Sequence, residues 1–142
     1  MINISSVKKN DYFKLIAVEN TLFEKSTLIN EFQNFTNNIS IKIWKLVTTK
    51  IIGFVHFYYV KNEVEIISIG ILKEYQQKGY GSIIIKEIKQ LKPKKIFLEV
   101  SVENTHAINF YLKNGFKKIG IRKGYYNRTE HRIDALRLLF EF

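Results

Sequence analysis

Gln76-Gln77-Lys78-Gly79-Tyr80-Gly81-Ser82 follows a β-branched run, Glu65 to Ile71, and opens an apolar-periodic segment that reaches Leu91. The stretch reads as a turn from strand into helix. Glycines without a Cβ let the backbone come close to an anion, and the first N–H groups of a helix have no acceptor one turn back. Such a turn can therefore cradle a phosphate or pyrophosphate. Glycines at this spacing also occur in plain strand-to-helix turns. A Walker loop needs Lys and Ser/Thr straight after its last glycine, where Ser82 and Ile83 stand, and a dinucleotide fingerprint needs a small residue where Ile84 stands. Neither pattern is met, which leaves another nucleotide-like cofactor as the expected ligand.

Downstream, Phe97-Leu98-Glu99-Val100-Ser101-Val102-Glu103-Asn104 reads as a strand ending in a helix N-cap. Thr105 to Asn114 continues as a helix closed by Gly115, and Phe116 resumes strand character. Upstream, Ile2 to Val7 suits a first strand. Asp11 can cap a helix through Leu22, and Ser26 a second through about Asn34. Ile39 to Val47, Ile51 to Val60 and Glu65 to Ile71 form a meander across Thr48-Thr49-Lys50 and Lys61-Asn62. A helix from Gly79 to Leu91 leads past Pro93 to a strand from Lys95 to Val102. Strands at Phe116 to Arg122 and near Ala135 to Glu141 end the chain.

The Gln-x-x-Gly-x-Gly turn, then Leu98-Glu99-Val100, Asn104, Ala107-Ile108, Phe110-Tyr111 and Asn114-Gly115-Phe116, resembles the coenzyme A side of the GNAT family of N-acetyltransferases. Arg122-Lys123-Gly124-Tyr125-Tyr126 and Asp134-Ala135 are similar to its RimI-like branch, the alanine N-acetyltransferases of ribosomal proteins. The resemblance covers roughly Val64 to Leu138. It implies an α/β (α+β) GNAT fold, a mixed central sheet of about seven strands with about four helices packed on it. It also implies acetyl-CoA as cofactor and a protein N-terminus or small amine as acceptor, with a ribosomal protein among the candidates.

The composition sets the bounds. At 142 residues, 46% hydrophobic and 14% aromatic, the chain is long and apolar enough to bury a core, and one domain over residues 1–142 is expected. No apolar run approaches the ~20 residues that span a bilayer, and Met1 to Asp11 lacks the apolar stretch of a signal peptide, so a cytoplasmic protein without membrane partners is expected. Cysteine is absent, which excludes disulfides, thiolate catalysis and cysteine metal sites. His56, His106 and His131 show no ligand spacing, so no metal is expected and all three read as incidental. The formal charge is +10, yet only Arg122, Arg128, Arg132 and Arg137 are arginines. Nucleic-acid readers lean on arginine for bidentate base contacts, so RNA binding is a minor reading. The lysines can equally reflect the compositional bias seen in the abundant Ile and Asn.

Acetyl transfer to an amine needs a bound thioester, an unprotonated amine and a proton for the leaving thiolate. Glu99 interrupts an apolar strand, where a carboxylate is costly unless exposed or usefully placed. A solvated strand residue is the plain alternative; the resemblance implies a general base. Tyr111 matches the family's general acid, although packing beside Ile108 and Leu112 also accounts for it. By resemblance, Ile69, Gly70 and Ile71 lie on a strand that splays from its neighbour and offers its backbone to the pantetheine arm, and Gly70 suggests close approach. Gln76, Gln77, Lys78, Gly79, Tyr80, Gly81 and Ser82 form the pyrophosphate turn. Asn104 can cap its helix, and the resemblance implies that it also touches the cofactor. Glu103 is an alternative base if the strand stays regular that far.

Tyr125, Tyr126, Asn127 and Arg128 are expected in a loop bordering the acceptor groove, with Phe23 on the other wall. There the chain carries Leu22-Phe23-Glu24-Lys25-Ser26 in place of the Pro-Trp-Ser element of many relatives, which leaves the acceptor open. Direct transfer to an N-terminal α-amine is the leading expectation. Acetylation of a small amine, antibiotic or lysine side chain, a non-catalytic acyl-CoA-binding module and a basic RNA-binding domain are the alternatives.

Overall fold

The computed structural model describes residues 1–24, 27–34, 38–127 and 132–142. In chain order the elements are β1 (Asn3–Ser6), α1 (Tyr12–Leu22), α2 (Leu28–Asn34), β2 (Ile41–Val47), β3 (Ile51–Val60), β4 (Glu63–Ile71), α3 (Tyr80–Lys89), β5 (Lys95–Ser101), α4 (Thr105–Lys113), β6 (Lys117–Asn127) and β7 (Arg132–Glu141). The strands make one sheet in the order β1-β2-β3-β4-β5-β7-β6. All neighbours are antiparallel except β4 and β5. This is the expected mixed sheet of seven strands with four helices.

The alternation of side chains along each strand splits the core into two layers. Val55 and Phe57 of β3, Val64 and Ile66 of β4 and Ile96, Leu98 and Val100 of β5 face Ile84, Ile85 and Ile88 of α3 and Ile108 of α4. The opposite face of β2 and β3, with Ile41, Ile43 and Phe54, is covered by Leu15 and Val18 of α1 and Leu28 and Phe32 of α2. Each isoleucine removed from water this way contributes about 1.5–3 kcal/mol.

Two turns are fixed by residue choice. Lys61 and Asn62 take φ of 50° and 66°, the paired left-handed conformation that lets a two-residue hairpin follow the twist of its strands. At the end of α4, Gly115 has φ 93°, its N–H bonds the Leu112 carbonyl at 3.1 Å, and the Phe116 N–H bonds the Tyr111 carbonyl at 3.1 Å. This glycine closure holds the Tyr111 backbone in place.

The feature that makes room for a site is the junction of β4 and β5. They pair only from Glu63↔Lys95 to Ile66↔Leu98. On the other side of β4, the register with β3 passes from Phe57↔Ile66 to His56↔Ser68, so Ile67 is an extra residue. Such a bulge bends the strand that carries it. Beyond it, Ile69 to Ile71 remain paired with β3 but have left β5.

Several expectations change. Asp11 does not cap α1: its carboxylate accepts from the Lys8 backbone N–H at 2.9 Å and from Lys45 Nζ at 2.8 Å. Burial pushes this carboxyl up, but the Lys45 and Lys8 bonds outweigh it and hold it below the usual range. Tyr125, Tyr126 and Asn127 are strand rather than loop. Between Arg122↔Ala135 and Tyr126↔Ile133 β6 carries extra residues, a bulge made possible by Gly124 at φ 61°, whose N–H bonds Asp134 Oδ1 at 2.8 Å. β4 begins at Glu63 instead of Glu65. The caps and contacts read onto Ser26, Arg128 and His131 lie outside the described residues.

His56 is not incidental to the fold. It is 1% exposed, with Nε2 3.2 Å from Glu31 Oε2, while Tyr58 donates to Glu31 Oε1 at 3.3 Å. These bonds tie α2 to β3. Burial holds the imidazole below its ordinary range, against the opposing charge and hydrogen bond of Glu31. The unfolded chain therefore takes up a proton near pH ~6.5 that the folded chain refuses. Stability from this group is complete above that pH and is lost as pH falls beneath it. Urea unfolding should show a lower midpoint at about pH 5.5 than at about pH 7.5, and a smaller difference in His56→Gln.

Candidate active site

The parting of β4 from β5 opens a cleft of about 430 Å³ between the end of β4, the N-terminus of α3 and one face of α4. Ile69 and Ile71 line it from β4, Gln76, Gln77, Gly79, Tyr80, Gly81 and Ser82 from the turn, and Tyr111 from α4. The stretch singled out in the sequence thus converges with Tyr111 on one cavity. Gly79, at φ 85°, is the N-cap of α3, and Gln77 is also left-handed at φ 63°. No side chain caps α3. The first N–H groups of the helix, at Tyr80, Gly81 and Ser82, have no carbonyl one turn back and face the cleft with the positive end of the helix dipole.

The individual residues do different work. Gln76 Nε2 donates to the Ile71 carbonyl at 2.8 Å, fastening the turn to the end of β4. Ser82 Oγ accepts from Asn114 Nδ2 at 3.2 Å, so its side chain joins α3 to α4. A Cβ on Gly81 would stand 2.9 Å from the Phe110 ring, and one on Gly70 would stand 2.6 Å from the Phe54 ring. Both glycines are therefore explained by packing, and Gly70 turns away from the cleft. Gly79 is different. A Cβ there would meet nothing within 4 Å. Asn104 caps α4 by accepting from the Ala107 N–H at 3.1 Å; neither it nor Lys78 is among the residues lining the cleft.

Glu99 lies on the other face of β5. Leu98 and Val100 point into the α3–α4 layer with Tyr111, so Glu99 points away from it. The end of the β4–β5 pairing at Ile66↔Leu98 brings the opening between the strands next to Glu99. Its side chain is 19% exposed; Oε1 accepts from Arg122 at 3.3 Å, and Oε2 is buried with no partner among the described residues. The Arg122 guanidinium also lies 4.3 Å from the centre of the Tyr125 ring, which packs edge-on against Tyr126. Burial, and then the neighbouring Tyr126, push the Tyr111 phenol well above its usual range. Glu99, Arg122, Tyr125 and Tyr126 therefore form a chain of neighbours, with Tyr126 near enough to Tyr111 to act on its phenol. Phe23, 40% exposed after α1, sits edge-on to Phe54 at 6.5 Å. Glu103 lies beyond the end of β5, so regular strand alternation does not reach it.

Lys113 and Phe110, neither given a site role from the sequence, also line the cleft, as does His106, which was read there as incidental. Their spacing along α4 is that of one helix face, which is the signal that would have found them. Among the described residues no group of acidic, histidine or cysteine side chains could hold a metal ion. Nor is any described helix long and apolar enough to cross a membrane.

Comparison with known proteins sets this geometry in context. The family model described as acetyltransferase (GNAT) family matches residues 11–116. A ribosomal protein bS18-alanine N-acetyltransferase of Haemophilus influenzae is 31% identical over 127 residues, 87% of this chain and 86% of that one. A spermidine N(1)-acetyltransferase of Thermoplasma acidophilum is 29% identical over 100 residues, and the match covers 67% of this chain and 62% of that relative's length. The crystal structure of the ribosomal-protein-S18-alanine N-acetyltransferase from Escherichia coli superposes with a TM-score of 0.83 at 26% identity, covering 99% of this chain and 94% of that one.

Proposed function

The chain belongs to the acetyltransferase (GNAT) family, and on that premise we propose that it acetylates a primary amine with acetyl-CoA, the preferred acceptor being a protein N-terminal α-amine. The cleft suits the donor. The β4 backbone from Ile69 to Ile71 is unpaired toward β5, the free N–H groups at the start of α3 suit a pyrophosphate, and the space in front of Gly79 is open. Lys113 and Lys78 add positive charge beside it. Acetyl-CoA supplies an activated thioester carbonyl when bound.

The observation that carries the acceptor reading is the buried Oε2 of Glu99, which has no partner among the described residues. An unsatisfied carboxylate oxygen costs about 1–3 kcal/mol or more, and an incoming ammonium relieves it. An α-amine, with a pKa near ~8, arrives mostly protonated at neutral pH; Glu99, held by Arg122, accepts that proton as general base. The phenol of Tyr111 stays protonated because its ionisation is suppressed, and as the acid of the reaction it donates a hydrogen bond to the departing sulfur. No covalent enzyme intermediate is needed. Asn104 acts by starting α4 in the right place, while Phe23, Tyr125 and Tyr126 flank the groove that admits the acceptor.

The resemblance to a ribosomal-protein alanine N-acetyltransferase supports an exposed peptide terminus as acceptor, a ribosomal protein among them, and a cytoplasmic place of work for one domain. A small polyamine is the second reading, favoured by the similarity to a spermidine acetyltransferase. Matched peptides with free and blocked N-termini, each with one internal lysine, decide between acceptors when assayed beside spermidine. At pH 7 an α-amine offers roughly two-hundredfold more neutral form than an ε-amine, given pKa values of ~8 and ~10.4. Acetylation confined to the free terminus is expected. Equal modification of lysine in the blocked peptide, or faster turnover of spermidine, overturns the N-terminal assignment.

A further inference from the structure

A second cavity, of about 570 Å³, lies beside α1, on the face of the sheet away from α3 and α4. It is bounded by α1, the end of β2, the turn into β3 and Leu72, which follows β4. It shares no lining residue with the cleft between β4, α3 and α4, and the acetyl transfer makes no use of it. Its size is that of a small-molecule site, for which about 300–1,000 Å³ is usual.

The lining is divided in chemistry. Val18, Val47, Ile51 and Leu72 supply an apolar surface, with the exposed Ala17 beside them. Around it stand the ammonium groups of Lys14, Lys45 and Lys50, against a single carboxylate, that of Asp11. Asp11 is already committed, since its Oδ2 accepts from Lys45 Nζ at 2.8 Å and from the Lys8 N–H at 2.9 Å. Lys45 and Asp11 balance each other, which leaves the charges of Lys14 and Lys50 over. Both side chains are exposed, and neither has an ion-pair partner among the described residues. One belongs to α1 and the other to the turn, so they flank the cavity from two sides. The Thr21 hydroxyl donates to the Val18 carbonyl at 2.8 Å within α1, so the lining hydroxyl left to donate is that of Thr49.

This combination selects among anions. An ion pair between exposed groups contributes little on its own, because water competes for both charges. Inorganic phosphate would gain only that. A molecule with a carboxylate at one end and an apolar body at the other gains in addition from covering the apolar lining. We propose that the cavity is a binding site for a small organic carboxylate with a short apolar body, its carboxylate between Lys14 and Lys50 and its body against Val18, Val47, Ile51 and Leu72. Lys45 keeps its bond to Asp11 and serves as a fixed wall. Because the two linings are separate, the site fills with or without coenzyme A in the other cleft.

The test follows backbone amide NMR signals of the protein, with and without saturating coenzyme A, during titration with hexanoate, its neutral amide hexanamide, or inorganic phosphate. Hexanoate is expected to bind with a Kd of about 1 mM or tighter and to move the signals of α1 and of residues 47–51. Hexanamide and phosphate should each bind about tenfold more weakly. Lys14→Gln combined with Lys50→Gln should weaken hexanoate about tenfold and leave hexanamide unchanged. Ala17→Leu adds bulk at an exposed helix position that tolerates either residue, and should weaken hexanoate and hexanamide alike. No saturable shift up to about 10 mM hexanoate overturns the proposal, as does equal binding of hexanamide or of phosphate. Loss of hexanoate binding on adding coenzyme A also overturns it, by placing the carboxylate in the cofactor cleft. These readings need only wild-type protein, and unchanged hexanoate affinity in the double lysine variant overturns the assignment of Lys14 and Lys50.

Discussion

Glu99→Gln is expected to lower turnover by about 100-fold or more with acetyl-CoA affinity unchanged, because the amide keeps the shape and the contact with Arg122 but cannot take the proton of the acceptor amine. The acidic limb of the pH–rate profile should vanish with it. Tyr111→Phe should also slow the reaction, and by a different route. It removes the hydrogen bond to the departing sulfur, so its effect should appear in kcat and grow as the leaving thiolate of a substrate analogue becomes more basic. The ring remains packed against Phe110 and Phe116, which protects the fold. Near-normal rates in both variants would return Glu99 to a strand position held by Arg122 and Tyr111 to the core.

Gly79→Val is expected to reduce acetyl-CoA affinity by about 100-fold, the loss of two charge-assisted N–H bonds at roughly 1.5 kcal/mol each. The position is left-handed, so a branched side chain also costs about 1–2 kcal/mol of backbone strain, measurable as a lowered melting temperature of the protein alone. The branch itself has room, since nothing stands within 4 Å of the new Cβ, and it fills the space in front of the helix amides. Gly81→Val is a poorer probe. Its Cβ meets the Phe110 ring at 2.9 Å, so it should loosen the α3–α4 contact and lose stability and affinity together. A folded Gly79→Val protein that binds acetyl-CoA normally removes the pyrophosphate from this turn.

The contrast between these glycines marks how far the sequence can be read. Local signals were legible: Asn104 before an apolar-periodic run, Gly115 after it, and Lys61-Asn62 between two β-branched segments each specify a turn through their own backbone chemistry. Gly70 and Gly81 also stood out, but the reason for each is an aromatic ring distant in sequence, Phe54 and Phe110. Asp11 looked like a cap because nothing local reveals Lys45. The family resemblance put Tyr125 and Tyr126 in a loop, whereas pairing with β7 draws them into a bulged strand. Nothing local foretells the β4–β5 opening either, because it lies at the end of a parallel pairing that waits for the whole of α3 to cross over.

That pairing has a mechanical consequence. Within β2 to β4, and within β5, β7 and β6, the sheet is stitched by longer antiparallel ladders, but these two parts share only the four pairs from Glu63↔Lys95 to Ile66↔Leu98. A load applied across the strands concentrates on this seam, which is the natural first line of rupture. A ligand lodged in the gap that borrows the idle backbone of β4 acts as a rivet across the tear. On the proposed placement, acetyl-CoA bridges this seam, and the expected result is that its binding raises the force or temperature at which the two parts of the sheet separate.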